Sequence, residues 1–138
     1  LEPRAQVNCI AIIGAPRAGK TTLANELACT LALPVVHADD MIALGWSNVS
    51  DTLARLMIGD PTPAIYEGVS VVRALRKLLQ TAADGALPVQ RCIVLDRPRL
   101  VLTPGQDRMR RGCETMLAGI APELARRGVA LERHTWTP

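Results

Sequence analysis

The apolar run "CIAII", Cys9 to Ile13, has no polar position at all, which predicts a short strand buried on both faces. Beyond it Leu23, Leu27 and Leu31 recur at helical spacing. They predict a helix from about Lys20 to Leu33, with Pro34 as its stop. "PVVH", Pro34 to His37, reads as a second strand running into two carboxylates, Asp39 and Asp40. The stretch from Ile42 to Pro63 is looser. Val49, Leu53, Leu56 and Met57 place one short helix there, between mobile loops that include "GWSN".

"AIYEG" predicts a third strand, and Val71, Val72, Leu75, Leu78 and Leu79 form the apolar stripe of the helix after it. "DGALP" is a turn, and "CIVLD", Cys92 to Asp96, is the fourth strand. Thr103 to Gln106 has the form of a capping box with Pro104 at the first helical position. The helix it opens carries Met109, Cys113, Met116, Leu117 and Ile120. Pro122 is expected to kink or restart it before Gly128 ends it. "VALER" is a fifth short strand.

Strands alternating with helices predict an α/β domain, one parallel sheet with helices on both faces and right-handed crossovers. The length of 138 residues suits one such domain, residues 1–138. Ligands bind such sheets beyond the carboxyl ends of the strands. Those ends are Gly14 onward, Ala38 to Asp40, Glu67 with Gly68, and Asp96 to Arg99.

Composition narrows the chemistry. With no Phe, two Trp and one Tyr, a stacking platform for single-stranded nucleic acid is not expected. The net charge is +3, and fourteen of the sixteen basic residues are Arg. Six of these fall between Arg91 and Arg111, a cluster suited to a polyanionic ligand or to a solvated face. Cys9, Cys29, Cys92 and Cys113 lack metal-site spacing and read as core thiols of a reducing compartment. The chain shows neither a membrane-length apolar run nor a signal-peptide pattern, so a soluble, cytoplasmic protein is expected.

"GAPRAGKT", Gly14 to Thr21, matches G-x-x-x-x-G-K-[ST] in full, between the first strand and the first helix. Its glycines let successive N–H groups turn inward around phosphate oxygens at a helix start. The phosphate-binding set is Gly14, Ala15, Pro16, Arg17, Ala18, Gly19, Lys20, Thr21 and Thr22, with Arg17 facing either phosphate or solvent. Lys20 is placed to reach β- and γ-phosphates and the Thr21 hydroxyl to ligate Mg²⁺. These features predict a site for a nucleoside triphosphate.

The segment "GAPRAGKTTLANELACTLALPVVHADDM" resembles the P-loop NTPases, within them the small-kinase branch of adenylate-kinase-like, shikimate-kinase-like and polynucleotide-kinase-like enzymes. "YEGVSVVRALRK" and "LTPGQDRM" are similar to short P-loop proteins of phage and prophage genomes. The resemblance implies ATP and Mg²⁺ as cofactors and a five-stranded sheet in the order 2-3-1-4-5. It also implies that Asp39 takes the acceptor's proton, with Asp40 behind it. The residues alone leave open that both acids cap the next helix. By the same likeness Glu67 serves the metal. Asp96, at the end of an apolar run, competes for that role.

Arg108, Arg110 and Arg111 stand where small kinases carry lid arginines, and Arg108 and Arg111 share a helix face. A solvated face remains the alternative. His37 and His134 are isolated and read as structural or exposed. Trp46, Arg73 and Arg76 would suit a nucleoside or nucleotide acceptor. The family's arginine three residues after the first acid is replaced by Ile42, which weighs against a polynucleotide 5′-hydroxyl end. The expected function is a kinase moving the γ-phosphate of ATP to a small acceptor. The rival is an ATP-binding or ATPase regulatory module with little transfer.

Overall fold

The computed structural model describes residues 9–14, 18–59, 62–81, 87–95 and 101–134, without the side chains of Ile42 and Trp46. Asp96 and loop residues Ala15, Pro16 and Arg17 lie outside the described residues. Five parallel strands form one sheet: β1 (Cys9–Gly14), β2 (Val35–His37), β3 (Ile65–Glu67), β4 (Val89–Leu95) and β5 (Ala130–His134). Their order is β2-β3-β1-β4-β5, the 2-3-1-4-5 arrangement. Four α-helices alternate with them: α1 (Lys20–Leu31), α2 (Trp46–Gly59), α3 (Val71–Thr81) and α4 (Pro104–Arg126).

The apolar run of β1 sorts its side chains by the two-residue period of a strand. Cys9, Ala11 and Ile13 enter the larger core, with Leu53 of α2, Leu75 of α3 and Leu124 of α4. Ile10 and Ile12 point the other way and pack with Ala24, Leu23 and Leu27 of α1. Both faces are dry, so the run needed no polar position.

Several boundaries differ from the sequence pattern, each for a local reason. Helix α1 stops at Leu31, because Ala32 turns into the left-handed region (φ 55°) two residues before Pro34. Strand β4 starts at Val89, ahead of Cys92, across the polar Gln90 and Arg91. Gln90 is used there: its Oε1 accepts the Cys9 N–H (3.0 Å) where the β1–β4 register shifts. Arg91 is clamped by Glu132 of β5, through Nε (2.7 Å) and Nη2 (3.1 Å).

The region expected as loops around one short helix is more ordered than its polarity suggested. Residues Ala38–Leu44 form a 3-10 helix, and "WSN" opens α2, which runs for 14 residues. Asn48 donates to the Leu44 carbonyl (2.8 Å), and Lys77 of α3 donates to Ser50 (2.7 Å) and Asp51 (2.6 Å). These polar anchors accompany the complete burial of Val49 and Leu53. Pro122 does not restart α4, which continues through it to Arg126. Ile120 and Leu124, on either side, are both buried in the core and hold that turn in place.

Candidate functional site

Glycine at the end of β1 is a packing requirement. Gly14 has φ +146°, and a Cβ there would lie 2.0 Å from the Leu95 carbonyl oxygen of β4. The chain then reaches Gly19, and α1 begins at Lys20. The amide end of this 12-residue helix faces the carboxyl ends of the strands, where its dipole favours an anion.

Register brings the next groups together. Glu67 is the partner of Ile12 in β1 and of His37 in β2. Residues opposite one another on parallel strands project from the same face, and here that is the face covered by α1. The first turn of α1 therefore lies over Glu67. The Thr21 hydroxyl donates to Glu67 Oε2 (2.9 Å), and His37 Nδ1 lies 2.5 Å from that same oxygen. Glu67 is only 2% exposed.

Lys20 is also buried, at 8% exposure, and its Nζ donates to the Gly14 carbonyl (3.4 Å). Burial pushes the ammonium below the usual lysine range, and the nearby charges of Glu67 and Asp39 pull back against that shift. A buried cation at the start of α1 favours an anion near it.

Asp39 and Asp40 occupy the first turn of the 3-10 helix and are exposed. Asp39 is near enough to act on the charge of Lys20. Gly68 allows this approach. At φ +137° it packs against Ala38, and a Cβ there would sit 2.6 Å from the Ala38 Cβ.

Between the start of α3 and the first half of α4 lies a cavity of about 400 Å³, and its wall residue Cys113 is near enough to Lys20 to act on its charge. Val72, Met109 and Met116 supply apolar wall, and Arg73 and Arg108 line it from opposite helices. Neither arginine has an ion-pair partner among the described residues, whereas Arg91, Arg110, Arg111, Arg126 and Arg127 each have one. The Cys113 thiol donates to the Val69 carbonyl (3.7 Å), tying α4 to the segment before α3.

Of the expected residues, Lys20, Thr21 and Glu67 meet around one point, with Asp39 close by. Arg108 lines the adjacent cavity. Arg111 pairs with Asp107 (3.3 Å), is 63% exposed and is not among the cavity's lining residues. Arg110 is held by Asp107 and Glu114. Ala18 is buried in the core with Ile12 and Ala24, and Thr22 is exposed on the first turn of α1. His37, read from sequence as isolated, is in contact with Glu67. Only the β2–β3 register could have revealed that pairing. His134 lies 3.5 Å from Glu132, on edge strand β5 two strands from β1.

The donor set around Thr21 and Glu67 is hard oxygen, which would suit a divalent cation such as Mg²⁺. Among the described residues no helix is long and apolar enough to cross a membrane.

No family model and no curated protein matches the chain. Solved structures do. A shikimate kinase from Acinetobacter baumannii, in complex with shikimate, superimposes with a TM-score of 0.55 at 16% identity, over 96% of this chain and 86% of the other. A shikimate kinase from Bacteroides thetaiotaomicron is similar at a TM-score of 0.41 and 13% identity, over 91% and 85% of the two chains. At 16% identity the first of these shows likeness of fold alone. The chain has an α/β fold like that of the Acinetobacter shikimate kinase structure, with five parallel strands in the order 2-3-1-4-5.

Proposed function

We propose that the protein is a P-loop kinase that transfers the γ-phosphate of ATP, with Mg²⁺, to a small-molecule acceptor. The observation carrying this reading is the Thr21–Glu67 bond beside the buried Lys20, at the head of α1 and next to an arginine-lined cavity. Phosphoryl transfer needs little covalent chemistry from a protein; positioning and charge neutralisation suffice. The loop from Gly14 to Thr22 cradles the phosphates, and Lys20 balances charge on the β- and γ-oxygens. Thr21 and Glu67 would hold the metal: the Thr21 hydroxyl donates its hydrogen bond to Glu67, and its oxygen keeps lone pairs for a cation. When bound, Mg²⁺ neutralises charge on the transferring phosphate.

Asp39 orients the acceptor hydroxyl and takes its proton. Arg108 offsets the charge of the transferring group. The cavity suits an acceptor with a compact apolar frame and an anionic group bound by Arg73 and Arg108. A nucleotide meets the anionic requirement, and a small hydroxylated carboxylic acid meets it equally. The likeness in fold to shikimate kinase is compatible with a small acceptor of either kind.

The test is ADP release from Mg²⁺-ATP with a panel of nucleosides, nucleotides, hydroxy acids and 5′-hydroxyl oligonucleotides. Acceptor-dependent ADP, abolished in Lys20→Ala, supports the kinase. Tight ATP binding with no release across the panel identifies a binding module, and acceptor-independent release a plain ATPase. Normal turnover by Lys20→Ala overturns the assignment of the loop.

A further inference from the structure

We propose that His37 is a positioning residue that sets the Glu67 carboxylate for the metal, an inference that rests on the kinase reading above. Glu67 is 2% exposed, so its oxygens need protein donors or a cation in place of water. Oε2 is in contact with two groups, the Thr21 hydroxyl at 2.9 Å and His37 Nδ1 at 2.5 Å. An ionised carboxylate can only accept, so His37 carries its proton on Nδ1 and donates it. Both bonds converge on Oε2, and among the described residues none is made to Oε1. One oxygen is thereby anchored from two elements, α1 and β2, and the other is left for a cation.

Thr21 alone cannot do this. Its hydroxyl rotates about one bond and must serve the metal as well, whereas His37 is held in register with Glu67 on the neighbouring strand. The His37 side chain is 28% exposed, so its removal opens no sealed core cavity. A ring N–H that orients a ligating carboxylate belongs to the class of outer contacts whose loss weakens metal binding about 10- to 100-fold.

The test titrates MgCl₂ into the protein with ATP and reads ATP affinity by calorimetry, with EDTA as the metal-free reference. Thermal unfolding confirms that each variant is folded. In His37→Ala the Mg²⁺ concentration that half-saturates the tightening of ATP is expected to rise about 10-fold or more. Metal-free ATP affinity should stay within about twofold, a split that general loosening of the fold would not produce. His37→Asn places an amide N–H near the position of Nδ1 and should restore most of the Mg²⁺ response. A His37→Ala protein with the wild-type Mg²⁺ response overturns the inference alone. So does an equal loss of metal-free and metal-bound affinity in both variants. A wild-type protein whose ATP binding ignores Mg²⁺ overturns the underlying reading as well.

Discussion

Lys20→Met separates what this lysine does for the fold from what it does for a ligand. Burial of an ammonium costs several kcal/mol, and the lowered pKa of Lys20 has that desolvation as its largest cause. Glu67 and Asp39 offset part of the cost. The bond to the Gly14 carbonyl is long, at 3.4 Å, and contributes at most about 1 kcal/mol. Methionine keeps the length and the apolar stem, and Glu67 retains its bonds to Thr21 and His37.

The ligand-free variant loses that desolvation cost together with the lysine's own hydrogen bonds, so its Tm should stay within roughly 5 °C of the wild type. ATP affinity should fall, because a charge-assisted contact to phosphate is worth about 1.5–3 kcal/mol, or about 10- to 150-fold. The pH dependence has a definite sign. Unfolded, Lys20 holds its proton up to its ordinary value of 10.5, while the folded protein releases it earlier. Between those two points the unfolded state binds more protons, so wild-type stability climbs with rising pH. Lys20→Met lacks that rise over the same window. Thermal unfolding and ATP calorimetry check both halves. ATP affinity within twofold of wild type would refute the phosphate contact. A Tm lowered by more than about 5 °C would instead mean that the lysine holds the loop together.

Gly14→Ala should destabilise by about 3 kcal/mol or more, read as a lowered denaturation midpoint, since its Cβ meets a backbone oxygen of β4. Ala32→Gly should stabilise by roughly 1 kcal/mol, because residue 32 adopts φ 55° and glycine meets no Cβ penalty there. Glu123 is held down to about 2 by Arg126 and Arg127. Its contribution to stability is present above the ordinary value of 4.5 and lost as pH falls through about 2. Carboxyl NMR titration should show the value rising toward 4.5 in Arg126→Ala, most of the way if Arg127 is replaced too.

The sequence by itself was enough for the elements whose signal is local. An all-apolar run followed by a complete phosphate-loop pattern specifies strand, loop and helix within about twenty residues. Thr103 with Gln106 closed as the expected capping box, because both halves of that motif lie within one turn. The signal weakened where distant partners make polar residues structural. Gln90 and Arg91 hid the start of β4, since their partners Cys9 and Glu132 lie 81 and 41 residues away. Polar "GWSN" hid the start of α2, where Lys77 arrives from another helix. The strand order 2-3-1-4-5 came from family resemblance, and no local periodicity encodes it.

Tertiary structure alone decided which groups meet. Glu67 became a partner of Thr21 because β3 lies beside β1 and α1 covers that face. His37 stopped being an isolated histidine for a similar reason, since parallel register sets it level with Glu67. The arginine turn was resolved by rotation about one helix axis. Arg110 and Arg111 found acids within a turn on α4, and Arg108 alone of the three lines the cavity that Arg73 of α3 also lines. Residue type and spacing state what chemistry a chain can carry. Which of those residues share a site depends on contacts between strands and helices tens of residues apart, and these exist only once the chain has folded.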